Sequence, residues 1–263
     1  MKGLSLSLKR TAIFLCLCVG MLALNPCAFT AETLSIRADV WMPYNGEPAG
    51  DVGYMVEVLK KVYSEFNVVI DYQTMPWARA IKEVRDGNFD AVIGAYKMDV
   101  PDFVFPQEHF TIGGEAFFVL SSKTWEFKDH SSLKQQKMGC IKDYSYGEDI
   151  DKYIKENPTM VECVSGDDPL EQNIKKLIAG RIDVLIEDAA VFWWKVHSMS
   201  GIKEKVKSAG SLGKNTPMYI AFSPQDKKKA KSKEYADKFD QGFKKLVASG
   251  EIARLKDKYK IAK

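Results

Sequence analysis

The sequence is poor in the residues that build metal centres and nucleophilic sites. Its three histidines, His109, His130 and His197, are scattered, and none of its five cysteines stands near a histidine at a spacing typical of zinc ligands. It has no internal repeat and no nucleophile elbow. We therefore predict no metal site, no cofactor and no catalytic residue.

Long apolar runs are also missing. The most apolar stretch, residues 12–24, follows Lys2, Lys9 and Arg10 and precedes small residues up to Ala31. This order predicts a signal peptide over residues 1–31, and thus export to the periplasm. The alternative is a retained membrane anchor, although a run this short spans a bilayer of about 30 Å poorly as a helix.

The chain carries little charge of one sign. It has 38 Lys and Arg against 35 Asp and Glu, a formal net charge of +3. Removal of the predicted leader takes away three basic residues and no acidic ones, so the remainder is neutral. A neutral protein has no field that attracts nucleic acid or an anionic membrane, and we predict neither as a partner.

Two cysteines remain after the leader, Cys140 and Cys163. An even pair in an oxidising compartment suggests a disulfide. Each lies in a short strand-like segment, and the alternative interpretation is two separate buried thiols. The residues alone leave both interpretations open.

Strand and helix patterns alternate from residue 34 onward and restart at about residue 138. This order predicts an α/β protein whose parallel sheets are covered by helices. The repeated pattern predicts two lobes. Two apolar segments, residues 115–121 and 218–222, are candidates for strands that cross between them.

Several short motifs, in order, resemble bacterial extracellular solute-binding proteins of family 3, the periplasmic receptors of amino-acid-type ABC transporters. The resemblance covers residues 34–261 and is carried by Trp41-Met-Pro-Tyr44-Asn-Gly-Glu-Pro48, Gly53-Tyr-Met-Val-Glu57, Gly87-Asn-Phe-Asp90-Ala, Ala179-Gly-Arg-Ile-Asp183, Phe239-Asp-Gln-Gly242 and Ser249-Gly-Glu251.

This resemblance implies the type II periplasmic binding protein fold, an α/β fold of two lobes joined by two crossing strands. We assign residues 32–117 plus 223–263 to lobe 1 and residues 118–222 to lobe 2. The implied function is a monomeric periplasmic receptor that holds a small polar solute between the lobes, either an amino acid or a related zwitterion, amine or carboxylate. The implied partner is an ABC permease in the inner membrane.

In such receptors an arginine after the third strand binds the α-carboxylate of an amino acid. The matching segment here, residues 94–103, contains no arginine. Lys97 and Arg79 are candidates to replace it. The alternatives are a solvated lysine and a surface ion pair.

Asp188 matches the aspartate that receives the ammonium group of the ligand in these receptors. Its position also suits the N-cap of the following helix, and the two roles are compatible. Tyr144 and Ser145 open a helix of the second lobe and could supply donors to the ligand. Tyr44, Trp77 and Tyr96 are candidates for an aromatic lining, with Tyr44 placed to stack on the ligand.

Two other functions remain open. The resemblance includes a few secreted dehydratases, but the sequence has no paired carboxylates at a telling spacing, so we predict that the protein is not an enzyme. The other is a partner that presents ligand to a membrane sensor. The sequence does not name the ligand.

Overall fold

A computed structural model describes residues 31–166 and 168–261 of the chain. These residues form two five-stranded sheets with helices packed on them. The predicted signal peptide lies outside the described residues except for Ala31. Within the described part of the chain, no helix has the length and apolarity that a membrane crossing requires.

The first sheet has the strand order β2-β1-β3-β10-β4. Its β1, β2 and β3 are parallel, and β10 runs antiparallel to β3 and β4. The strands are β1 (Glu32–Ala38), β2 (Val68–Thr74), β3 (Ala91–Ala95), β4 (Thr111–Gly113) and β10 (Thr216–Phe222).

Four helices cover this sheet: α1 (Tyr54–Ser64), α2 (Trp77–Arg85), α6 (Asp226–Ala248) and α7 (Glu251–Lys258). Helix α1 forms because Met55, Val58, Leu59 and Val62 share one apolar face, and all four are fully buried. Its first turn begins at Gly53, whose φ is +83° and where a Cβ would lie 2.5 Å from the carbonyl oxygen of Tyr44. Only glycine fits there.

The second sheet has the order β7-β6-β8-β5-β9, with β6, β7 and β8 parallel and β5 antiparallel to β8 and β9. The elements are β5 (Glu115–Leu120), β6 (Met138–Ile141), β7 (Val161–Val164), β8 (Val184–Asp188), β9 (Val206–Ser211), α3 (Glu148–Glu156), α4 (Pro169–Ile178) and α5 (Ala189–Ser198). The two sheets confirm the predicted α/β class with two lobes.

The chain crosses between the sheets twice, at Gly114 between β4 and β5 and again between β9 and β10. The predicted lobe boundaries after residues 117 and 222 differ from these points. Hydrogen bonding places all of β5 in the second sheet and all of β10 in the first. An apolar pattern identifies a buried strand but does not say which sheet the strand joins.

Cys140 and Cys163 form a disulfide. They are direct partners in the parallel register of β6 and β7, which brings their side chains together at one end of the second sheet. The sequence left open whether the two thiols are joined, because the pairing of β6 with β7 is a tertiary contact.

Candidate functional site

A cavity lies between the lobes, beyond the carboxyl ends of the parallel strands of both sheets. The space between its atoms is about 440 Å³, a volume that includes space open to solvent. It is lined by Asp39, Trp41, Asn45, Trp77, Ile93, Gly94, Tyr96, Asp99, Glu115, Tyr144, Ser145, Tyr146, Glu187 and Asp188.

Strand ends bring these side chains together. Asp39 follows β1, Tyr96 follows β3, and Glu187 and Asp188 are the last residues of β8. Because parallel strands end at the same edge of their sheet, residues distant in the chain meet there. The second lobe places its own strand ends opposite those of the first, so the cavity has walls from both.

Four hydrogen bonds join the lobes around the cavity, and in each an aromatic side chain donates to a carboxylate. Three of them run from an aromatic side chain of lobe 1 to a carboxylate of lobe 2, and the fourth runs in the opposite sense. They are Trp41 Nε1 to Glu187 Oε1 (3.2 Å), Tyr44 OH to Asp188 Oδ1 (3.3 Å), Tyr96 OH to Glu115 Oε1 (2.9 Å) and Tyr144 OH to Asp39 Oδ2. The lobes are therefore in close contact in this structure.

Asp188 is the N-cap of α5 and is 2% exposed. Its Oδ1 accepts the backbone N–H groups of Ala190 (2.9 Å) and Val191 (3.1 Å), and its Oδ2 accepts that of Gly114 (3.1 Å) at the first crossing. At Gly113 a Cβ would lie 3.0 Å from Asp188 Oδ2, so the small residue lets the carboxylate approach the crossing segment. Asp188 thus has a structural role as well as a place in the cavity wall.

Glu187 is 1% exposed, and only one of its two carboxylate oxygens has hydrogen-bond partners. Its Oε1 accepts from Trp41 Nε1 and from the backbone N–H of Asp188, but its Oε2 has no hydrogen-bond partner. Burial raises the pKa of Glu187 to about 8, and the nearby charges of Asp188 and Glu115 raise it further. A cavity carboxyl therefore changes its protonation near neutral pH.

The neighbouring carboxyls are shifted in the same direction. Burial raises the pKa of Asp39 to about 6 and that of Asp99 to about 6. Burial also raises the pKa of Glu115, with a further contribution from the charge of Asp188. These shifts share one cause, the removal of several like charges from water into one small space.

No group of three or more His, Cys, Asp or Glu side chains is arranged to hold a metal ion among the residues that the structure describes. The carboxyl groups are distributed around the wall, and they accept hydrogen bonds from different side chains of the protein.

Neither a scan of the sequence against models of protein families nor a search of curated proteins gives a match. Solved structures do match. An ancestral arginine-binding protein bound to arginine is 18% identical with a TM-score of 0.71, over 86% of this chain and 97% of that one. A histidine kinase sensor domain with similarity to periplasmic binding proteins is 15% identical with a TM-score of 0.70, over 86% of this chain and 95% of that one.

A third match comes from the structural work on glutathione import in Gram-positive bacteria via GshT and the cystine ABC importer TcyBC of Streptococcus mutans. It is 16% identical with a TM-score of 0.72, over 88% of this chain and 95% of that one. The chain has the periplasmic binding protein fold. In this fold the cavity described above is the cleft between the lobes.

Most of the site residues predicted from the sequence meet in this cleft. Trp77, Tyr96, Tyr144, Ser145 and Asp188 line it. Tyr44 lies just behind the lining, 2% exposed, where its hydroxyl meets Asp188 and its ring contacts that of Trp41 at 4.9 Å between centroids. The hydroxyl of Ser145 donates to Asp151 (2.6 Å), a residue of α3.

The two predicted cations lie elsewhere. The Arg79 side chain is 66% exposed on α2, with its Nε 3.9 Å from Glu83. Lys97 is exposed and its Nζ lies 4.5 Å from the ring centroid of Tyr219. Neither residue lines the cavity, because α2 turns Arg79 outward and the chain after Tyr96 carries Lys97 away from the cleft.

The site analysis of the sequence did not include most of the acidic wall: Asp39, Asp99, Glu115 and Glu187, together with Asn45 and Tyr146. A signal existed, since Asp39 and Glu187 each stand at or just after the end of a strand that points into the cleft. Because adjacent residues of a strand face opposite ways, the strand pattern places only one of Glu187 and Asp188 in the cavity. The turn from β8 into α5 begins at Asp188 and lets both reach the cavity.

Proposed function

We propose that this protein is an extracytoplasmic receptor that captures a small polar solute between its lobes and delivers it to an ABC permease in the inner membrane. The observation that carries the proposal is the buried polar cavity that both lobes line. A site made half by each lobe binds its ligand best when the lobes are closed, so binding is coupled to a hinge motion.

The fold supports this role, since proteins of similar structure include an arginine-binding protein bound to arginine. Another similar structure comes from work on the cystine ABC importer of Streptococcus mutans, which supports a permease as the partner. The leader predicted from the sequence supports a periplasmic location. We propose further that the receptor acts as a monomer, and size-exclusion chromatography with light scattering measures this.

A thermal-shift screen tests the proposal. The panel contains amino acids, amines, carboxylates, sugars and short peptides, each added at millimolar concentration to protein from which bound solute has been removed by partial unfolding. Ligand at about 100 times its Kd stabilises the folded state by about 2.7 kcal/mol, and thus raises the Tm by several degrees. If no member of a broad panel raises the Tm, the receptor proposal fails.

A second candidate is a receptor that presents its solute to a membrane sensor instead of a permease. The similarity to a histidine kinase sensor domain favours it. Pull-down of membrane proteins with the ligand-loaded receptor separates the two, because a permease and a sensor kinase are distinguished by mass spectrometry of the captured partner.

We propose binding without catalysis. A dehydratase-like enzyme on the same scaffold would convert the solute, whereas a receptor returns it unchanged. Mass spectrometry of the solute after prolonged incubation with the protein tests this, and recovery of a product would favour the enzyme.

A further inference from the structure

The side chains that can carry a charge in this cavity are all acidic. Five of its lining residues are Asp or Glu, and no lysine, arginine or histidine is among the described residues that line it. Lys142 lines the adjoining part of the cleft, which shares Asp39, Trp77 and Tyr144 with the cavity. The chain as a whole is close to neutral, so this is a local segregation of charge. Ionising several of these carboxyls together is electrostatically unfavourable, and a positive ligand relieves the repulsion between them.

The wall of the cavity also contains buried hydrogen-bond acceptors that have no partner. The donors in the four bonds that join the lobes are all committed to carboxylates, and the hydroxyl of Ser145 is committed to Asp151. Three buried acceptor atoms of the lining residues, Glu187 Oε2, Asn45 Oδ1 and Asp99 Oδ1, have no donor at all. Buried polar atoms without partners are rare and unfavourable, so all three indicate where a ligand donates.

The orientation of Asn45 follows from its surroundings. Its Nδ2 lies 3.4 Å from the carbonyl oxygen of Ile93, and a flipped amide would put two acceptors against each other. Oδ1 therefore faces away from Ile93 and stays free to accept. Asn45 is 1% exposed, so bulk water does not satisfy it.

Aromatic side chains make up much of the remaining wall, including Trp41, Trp77 and Tyr144. Aromatic faces attract organic cations and pack against the alkyl part of an amine. A solute with an aliphatic or aromatic body and a charged nitrogen matches both the aromatic side chains and the carboxyl groups of the wall.

From this complementarity we infer that the cleft takes an organic cation with N–H donors and no carboxylate, such as a primary amine, a diamine or a guanidine, whose nitrogen donates to Glu187 Oε2. The inference rests on the proposed receptor function and narrows it. It departs from a zwitterionic amino acid, because an α-carboxylate would face the acidic wall while Arg79 and Lys97 lie outside the cavity.

Matched ligand pairs test the inference on the wild-type protein. Agmatine is compared with L-arginine, and 1,4-diaminobutane with L-ornithine, since each pair differs only in the carboxylate. Isothermal titration calorimetry should show the amine binding at least about 10-fold more tightly than its amino acid in one or both pairs. Tighter binding of the amino acid in both pairs would overturn the inference and leave the receptor function standing.

The other outcomes are equally decisive. If neither pair binds but a solute of the thermal-shift panel that is neither an amine nor a guanidine does, the ligand class is wrong and the receptor function holds. If nothing in the panel binds, both proposals fail together. Binding of a divalent metal salt in place of any amine would also overturn the inference.

A variant of Glu187 tests whether the amine binds at Glu187 Oε2. Glu187→Gln keeps the shape of the side chain and removes its charge, and should weaken amine binding by about 10- to 100-fold. Glu156→Gln, on the exposed surface of α3, is the matched control and should bind as wild type does. Unchanged affinity in folded Glu187→Gln contradicts the assignment. If that variant does not fold, the ligand pairs on the wild-type protein still decide.

Discussion

Replacing Glu187 with glutamine should stabilise the ligand-free protein, and the gain should grow with pH. The folded pKa of this side chain is about 8, against an ordinary value of 4.5, and burial is the main cause. A carboxyl whose pKa is raised on folding contributes stability when it is protonated. That contribution is complete below the unfolded pKa and is lost as the pH rises through the folded pKa.

The size of the effect follows from the shift. Each pKa unit corresponds to about 1.36 kcal/mol, so the ionisation that this side chain gains on unfolding destabilises the folded state by about 3 kcal/mol at pH 7 and by less than about 1 kcal/mol at pH 5. Glutamine does not ionise, and its Oε1 still accepts from Trp41 and the backbone N–H of Asp188. We expect Glu187→Gln to raise the free energy of unfolding by about 2–4 kcal/mol at pH 7.

Urea unfolding followed by circular dichroism at pH 5, 6, 7 and 8 measures the effect. Glu156→Gln has an exposed side chain and should show no pH-dependent difference from wild type over the same range. A difference for Glu187→Gln that stays constant with pH, or that favours the wild type at pH 8, would refute the reasoning, because only a raised pKa produces a gain that grows over this window.

Four further results are expected. At pH 7, binding of an amine beside Glu187 should lower its pKa and release up to about one proton, so the binding enthalpy should depend on the ionisation enthalpy of the buffer; an enthalpy that is the same in phosphate and Tris would contradict this. The double variant Cys140→Ala/Cys163→Ala should lose about 3 kcal/mol of stability in urea, and dithiothreitol should lower the Tm of the wild type but not of the variant. Asp188→Ala should lower stability by about 1–2 kcal/mol through loss of the N-cap, whereas Arg79→Ala should leave solute affinity within about twofold, and a large loss of affinity in Arg79→Ala would place that cation in the site after all.

The α/β class was within reach of the sequence because helix and strand periodicities are local. The buried face of α1 is visible as apolar residues three and four positions apart, and β3 and β8 as short apolar runs ended by polar residues. The partners of β10 were not within reach. Its apolar segment suits the centre of either sheet, and only the hydrogen bonds to β3 and β4 decide the matter.

The site likewise combines features that are visible in the local sequence with features that depend on tertiary contacts. Asp188 was a candidate because it matches an aspartate of the receptors that the sequence resembles, and such a match is visible in the sequence alone. The cations were misleading because a positive side chain near a strand end is visible in sequence, while the direction in which it points is not. Arg79 has its guanidinium beside Glu83, outside the cavity.

By itself the sequence determined a two-lobed α/β chain of low net charge, with no motif typical of metal binding or nucleophilic catalysis. Only the tertiary structure decided that the cleft is acidic. Its five carboxyls come from positions between Asp39 and Asp188, among basic residues that balance them along the chain. Parallel strands collect their carboxyl ends at one edge, so a chain with little net charge can still enclose a site of one sign.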